Sequence, residues 1–334
     1  MPHSGIRSIA VTAATALLLS ASPGALTQTA EKKAHIGILV GGSQAQRGHL
    51  EQALLQGLRE QGYVEGKNLV LERRYADGKT ERMPEFAREL AAMKLDAMVA
   101  TCTPSTRVAR QATASTPIIM AAVADPVGQN LIASLARPGG NLTGLSSQGL
   151  EIMPKMMELF AAVLPRGATV AVLADEKSAV HPRMWEALGP AAQALKLKLV
   201  KIDVASPARV NLPVAFEAAV REKASAIFVL PDEPAFLTSR DSIIALAAKH
   251  RLPAFYGARE YVDEGGLMSY GENLRAAYRD AAVYIDKVAR GARPGDIPVR
   301  QPTKFEFVVN MKTAKALGIT LPQSLLVSAD TVIQ

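Results

Sequence analysis

The chain has one cysteine, Cys102, among its 334 residues. A single thiol excludes an internal disulfide framework and any cysteine-cluster metal site. Aromatic residues are scarce, at 5%, and alanine is plentiful, which suits helices packed closely on sheets. After residue 30 no apolar run reaches the ~18 residues that a membrane helix needs. The short catalytic signatures are missing as well. Residues 144–149 (GLSSQG) have the wrong spacing for a nucleophile elbow. There is no HExxH, and His35, His49, His181 and His250 are scattered. Residues 62–68 (GYVEGKN) lack the gap of a phosphate loop and the Ser/Thr after Lys67, and they follow a helix rather than a strand. Residues 37–42 (GILVGG) lack the GxGxxG spacing of a dinucleotide site. Cys102 has no histidine tied to it, so a nucleophilic role has no support. No cofactor, no metal and no catalytic residue are expected.

What is present is ordinary for a water-soluble chain: 49% hydrophobic and 21% charged residues. The length suggests about two domains of ~150 residues each. The net charge is +7, but basic and acidic residues alternate along the chain. A nucleic-acid partner would need that charge gathered into a stripe, so none is expected.

Residues 1–30 differ from everything after them. They contain no acid, one arginine (Arg7) and an apolar run over 9–19. A short basic start, a 7–15-residue apolar centre and small residues beyond it form a secretory signal peptide. Cleavage is open between Ala25 and Ala30. Residues 22–24 (SPG) argue against a buried helix here, and the run is too short for stable membrane insertion. The expected mature protein is exported to the periplasm and soluble, and one spare thiol fits an oxidising compartment.

From residue 31 strands and helices alternate. Strands are predicted at 35–40, 69–75, 97–101, 117–123 and 142–147. Helices are predicted at 48–61, 83–94, 106–114 and 129–136. The alternation restarts with strands at 170–174, 198–204, 226–230, 253–256, 266–269 and 305–310, and with helices at 183–195, 212–222, 238–249, 273–290 and 311–317. Mostly apolar strands joined by helices imply parallel sheets covered on both faces. The fold class is therefore α/β, with two doubly wound lobes of similar size.

Ligands of such sheets bind beyond the carboxyl ends of the strands. The candidate loops are 41–44 (with Ser43 and Gln44), 101–105 (Cys102, Thr103, Pro104, Ser105), 124–126 (Asp125), 175–178 (Asp175), 231–234 (Asp232) and 256–257 (Tyr256). Backbone N–H groups at the helix starts of the first two loops would hold a carboxylate. Asp125 or Asp232 would hold an amine, and Tyr256 would stack on the solute's body. Each residue has a structural alternative. Ser105 and Thr106 can cap a helix, Asp125 and Asp232 can shape turns, and Tyr256, Tyr270 and Trp185 can be core aromatics.

Several stretches carry a resemblance: 57–68 (GLREQGYVEGKN), 125–128 (DPVG), 134–147 (SLARPGGNLTGLSS), 310–318 (NMKTAKALG), Leu321-Pro322 and Ala329-Asp330. Together, and in this order, they resemble a family of bacterial ABC-transporter substrate-binding proteins that includes tryptophan- and tyrosine-binding members. The resemblance runs from His35 to Ile333. It implies a type I periplasmic-binding-protein fold whose lobes join through a three-segment hinge near 145–148, 269–273 and 300–306. The first lobe would be 31–146 with 272–303, and the second 147–271 with 304–334. The family's ligand loops fall on Ser43, Thr103-Pro104, Asp125, Ser146, Asp232 and Tyr256. Cys102 stands where many relatives have glycine. Residues 174–176 replace an asparagine-containing loop, which points to a different ligand, an amine among the options. The function implied is capture of a small organic solute, such as an amino acid or another carboxylate, for an inner-membrane ABC permease. The alternative is an exported hydrolase or isomerase using the same cleft.

Overall fold

The computed structural model describes Met1 and residues 33–204, 211–232 and 234–334. Apart from Met1, the expected export leader lies outside the described residues. Five strands build the first sheet: β1 (Ala34–Val40), β2 (Leu69–Tyr75), β3 (Ala97–Ala100), β4 (Ile118–Val123) and β5 (Leu142–Ser146). Their order is β2-β1-β3-β4-β5 and every pairing is parallel. β3, β4 and β5 are buried along their whole length, as strands covered on both faces must be. One face carries α1 (Gln44–Glu60), and the other carries α2 (Met83–Ala92) and α3 (Thr103–Ala112).

The second sheet contains β6 (Thr169–Ala174), β7 (Lys198–Asp203), β8 (Ala226–Val229), β9 (Ala254–Tyr256), β10 (Met268–Glu272), β11 (Phe305–Asn310) and β12 (Thr331–Ile333). Its order is β12-β11-β10-β9-β8-β6-β7. Around it lie α4 (Met153–Ala161), α5 (His181–Ala194), α6 (Leu212–Arg221), α7 (Pro234–Thr238), α8 (Arg240–Lys249), α9 (Arg259–Asp263), α11 (Met311–Leu317) and α12 (Gln323–Ser328). The remaining helix, α10 (Leu274–Ala289), leaves the second sheet and packs on the first, where Ala277, Ala281 and Ile285 join the core with Leu50, Leu54 and Leu58 of α1.

The chain thus passes between the sheets three times, after β5, after β10 and before β11. The first and third passages lie side by side: Arg300 N–H donates to the Gly144 carbonyl (3.0 Å), and Ser146 N–H donates to the Arg300 carbonyl (2.9 Å). This is the type I fold of periplasmic binding proteins, with two α/β lobes and a three-segment hinge.

Several expectations need correction. The second sheet is not wholly parallel, because β10 and β11 pair antiparallel: the chain returns from the first lobe instead of crossing over within the second. The two sheets also differ in width, with five strands against seven. No helix forms over 129–136. Asn130 takes a positive φ of 55°, and Ala133 N–H turns back to the Pro138 carbonyl. The helix expected over 238–249 is two helices broken at Ser239. α1 starts at Gln44 rather than 48, because Ser43 caps it by accepting from Gln46 N–H. α4, α9 and α12 were not anticipated.

Phe160, Phe228 and Phe255 form the centre of the second lobe's core. Phe228 stacks on Phe255 with centroids 5.7 Å apart, and Phe160 lies 6.3 and 5.4 Å from the two. Truncating one of three interlocked rings leaves a cavity that its rigid neighbours cannot fill. Phe228→Ala is expected to cost about 3–5 kcal/mol, read as a lower midpoint in urea denaturation.

Candidate functional site

The carboxyl ends of both sheets face one cavity of about 90 Å³ between the lobes. Arg47 of α1, Thr101, Cys102 and Ala122 reach it from the first lobe. Pro231, Asp232, Phe236, Leu237 and Tyr261 reach it from the second, and Ser147, Ile152, Glu272 and Leu274 come from the passages between them. Most of the wall is apolar. Against it stand a few polar atoms that are buried and have no hydrogen-bond partner among the described residues: Arg47 Nε, Asp232 Oδ2 and Glu272 Oε2 at the wall, and Thr238 Oγ1 nearby. A buried polar atom left unpaired costs free energy, so a molecule whose groups pair with these atoms would be favoured here.

Asp232 sits at the tip of the turn after β8, with a positive φ of 69° that aspartate tolerates better than most residues. Its Oδ1 accepts a long 3.5 Å bond from Thr103 N–H, at the start of α3 in the other lobe. His181 holds the turn from behind. Its Nδ1 accepts from Asp175 N–H (2.9 Å), and its Nε2 lies 2.9 Å from the Pro231 carbonyl. That pair of partners requires the neutral ring protonated on Nε2. Burial pushes the His181 pKa down to about 4. Burial pushes the Asp232 carboxyl up to about 7, and it pushes Glu272 up to about 8 with help from the Asp232 charge.

The other anticipated residues divide by position. Ser43 caps α1, and Gln44 is exposed at its first turn. Cys102 lines the cavity at the N-cap of α3. Burial, then Asp232, pushes its thiol up to about 11, and the Sγ–H is directed to Ser105 Oγ (3.3 Å). Ser105 accepts from Cys102 N–H (3.0 Å), and Thr103 Oγ1 accepts from Ala124 N–H (3.2 Å). Pro104 occupies the first turn of α3. These residues shape the loop around Cys102.

Asp125 lies at the rim, where it pairs with Arg183 of α5 and accepts from Gly128 N–H (2.9 Å). Ser146 is buried at the hinge. Asp175 caps its own turn by accepting from Lys177 N–H (2.8 Å). Tyr256 stacks on Tyr261 (4.4 Å, 9°) and lines a separate groove beside α8 and α11, not the interlobe cavity. Tyr270 packs on Phe305 and Phe307.

Arg47, Glu272 and His181 were not anticipated. Arg47 falls on the buried stripe Leu50-Leu54-Leu58 of α1, three residues ahead of its first leucine. A charge in phase with an apolar face is a signal that a helix begun at residue 48 cuts off. Glu272 shares a strand face with Met268 and Tyr270, and a strand ended at 269 hides it. His181 gives no signal in the sequence.

The lobes also touch at the rim. Gln46 Nε2 donates to the Thr238 carbonyl, and His49 Nε2 lies 3.2 Å from Glu260 Oε1. Burial pushes the Glu260 carboxyl up, but the bonds from His49 and its own backbone outweigh that, and the net direction is down.

Comparison with known proteins places this arrangement. A family model described as ABC transporter substrate binding protein matches residues 35–333. A tyrosine-binding protein of Clostridioides difficile (strain R20291) is 26% identical over 269 residues, covering 80% of this chain and 76% of that protein. An ABC domain from Streptococcus pneumonia, solved in complex with L-Trp, superposes with a TM-score of 0.82 at 27% identity, covering 90% of this chain and 100% of that one. A conserved domain protein from Vibrio cholerae O1 biovar eltor superposes with a TM-score of 0.81 at 29% identity, covering 90% and 99%.

The raised carboxyls set a pH dependence. A buried acid whose pKa is raised favours the lobe-closed form while it is protonated, and it loses that contribution as pH rises through the raised value. For Asp232 and Glu272 the loss runs through about 7 and 8. His181, whose partners Asp175 and Pro231 lie in its own lobe, has the opposite sign and acts on the fold of that lobe: its contribution is lost as pH falls from the ordinary histidine range toward about 4. From the ordinary histidine range up to about pH 8, ligand-free protein should therefore open, with no further change above that. Small-angle scattering should report a growing radius of gyration, and the Asp232→Asn/Glu272→Gln double variant should flatten the trend.

Proposed function

The chain belongs to the ABC transporter substrate-binding protein family, and we propose that it is the periplasmic solute-binding component of an ABC importer. A small zwitterionic solute of the amino-acid type enters the interlobe cleft. The lobes close on it, and the closed form delivers it to an inner-membrane permease. The moving units are 31–146 with 272–303, and 147–271 with 304–334. Residues 1–30 direct export.

One observation carries this reading: a guanidinium from the first lobe and a carboxylate from the second each turn an unpartnered buried atom toward the same small cavity. Arg47 matches a solute carboxylate through charge-assisted hydrogen bonds. Asp232 matches an ammonium. The relatives named for tyrosine and L-Trp support a solute of this class. No chemistry on the solute is expected, since the Cys102 thiol is held protonated at neutral pH and bonds to Ser105, with no base hydrogen-bonded to it among the described residues. Binding and closure are then linked: a solute that touches both lobes favours the closed form by its differential affinity.

Mass spectrometry of protein purified without denaturation should reveal an amine-bearing carboxylate released on unfolding. Titration calorimetry should then give a saturable heat that Arg47→Ala and Asp232→Asn each weaken at least about tenfold. If no amino acid binds and none is released, the reading fails. Closure can be tested apart from the cavity. A Cβ on Gly41 would lie 2.6 Å from Pro234 Cγ across the lobe junction, closer than such atoms approach. Gly41→Ala should lower solute affinity and leave the urea midpoint of the ligand-free protein within about 0.5 kcal/mol of the parent.

A further inference from the structure

A single guanidinium and a single carboxylate would complete a site for a simple neutral amino acid. This cavity has a second carboxylate. Glu272 ends β10, and its position depends on the residue before it. A Cβ on Gly271 would lie 1.9 Å from the Gly257 carbonyl oxygen. Only glycine lets β10 press against the 257–258 loop, which itself lines the cavity. The strand therefore delivers Glu272 to the same wall as Asp232, with Oε2 buried and without a hydrogen-bond partner.

No protein cation answers it. Glu272 makes no ion pair among the described residues. The cation whose field reaches it, Arg300, is itself paired with Asp280. Arg47 is the guanidinium that lines the cavity, and it also makes no ion pair among the described residues. The wall therefore presents two acids and one base. Two carboxylates facing one small, mostly apolar space repel each other and lose hydration, a cost that a second cationic group on the solute removes.

We infer that the solute is dibasic: an amino-acid-like molecule with one carboxylate for Arg47, an α-ammonium for Asp232 and a second cationic nitrogen for Glu272. This rests on the solute-binding reading above and narrows it from neutral aromatic amino acids to lysine-, ornithine- or arginine-like ones. The apolar wall formed by Ile152, Met184, Phe236 and Leu274 accommodates the methylenes between the two cationic ends.

The test compares L-lysine with L-norleucine, which has nearly the same length and lacks the terminal amine, and adds L-tryptophan as the aromatic probe. Titration calorimetry on the parent protein at pH 7.5 should favour L-lysine over L-norleucine by at least about tenfold. Glu272→Gln should erase most of that preference, with the loss falling on L-lysine. Proton release, measured by repeating the titration in buffers of different ionisation enthalpy, should be larger for L-lysine than for L-norleucine, and the excess should vanish in Glu272→Gln. If L-norleucine or L-tryptophan binds as tightly as L-lysine, or if Glu272→Gln keeps the preference, the dibasic assignment falls and the amino-acid reading stands. If none of the three binds and the purified protein releases no amine-bearing carboxylate, both fall.

Discussion

The arrangement of the cleft depends on one constraint, a carboxylate held at the lobe junction by a turn that has no freedom to turn it away. Asp232 sits in left-handed backbone between Pro231 and the start of α7. The carbonyl before it is bonded to His181, and His181 is bonded in turn to the backbone of the neighbouring Asp175 loop. A charged imidazole would lose the bond from Asp175 N–H, because both its nitrogens would be donors. Burial keeps the ring neutral, so the turn stays fixed. Across the junction the start of α3 offers Thr103 N–H, and the positive end of a helix favours an anion there. One oxygen of Asp232 thus serves the lobe contact, and the other is left for the cavity.

The rim contacts play a smaller part. Asp125–Arg183 and His49–Glu260 join the lobes, and both include a partly exposed partner. Pairs of that kind contribute about 0–1 kcal/mol each. They orient the lobes as they meet, but a few such pairs cannot hold a two-state equilibrium firmly closed. The large lever lies in the cavity, where the unpartnered groups gather. On the proposed reading, closure is governed by what satisfies Arg47, Asp232 and Glu272.

Much of the fold was legible in the sequence. Apolar runs such as 35–40 and 226–230 announced buried strands, and the alternation with helices announced two doubly wound lobes. The antiparallel β10–β11 pair was not legible, because only the path of α10 back to the first lobe makes it. The site was legible as loops rather than as side chains. Cys102 and Asp232 reach the cavity wall, and they follow strands whose ends could be read from hydropathy. Asp125 follows a strand in the same way and Tyr256 ends one, yet Asp125 meets Arg183 at the rim and Tyr256 stacks on Tyr261 and lines a separate groove. A strand end fixes where a loop begins, not which way its side chain points. Arg47 was hidden for a different reason. Its helix begins at a serine cap four residues earlier than hydrophobic periodicity suggested, and only the correct start puts a charge on the buried face.

The three charged groups come from three different parts of the molecule: Arg47 from the first lobe, Asp232 from the second, and Glu272 from a passage between them. No single lobe presents the full set. A solute bearing only a carboxylate can engage Arg47, and one bearing only an amine can engage Asp232, but neither gains from bringing the lobes together. Only a molecule that spans all three gains contacts on closure that it lacks in the open form. Because a ligand shifts a conformational equilibrium only by its differential affinity for the two states, recognition and closure become one event. On the proposed reading, a partial match would leave an acid or a base buried without a partner in the closed form, and that cost would return the lobes to the open state.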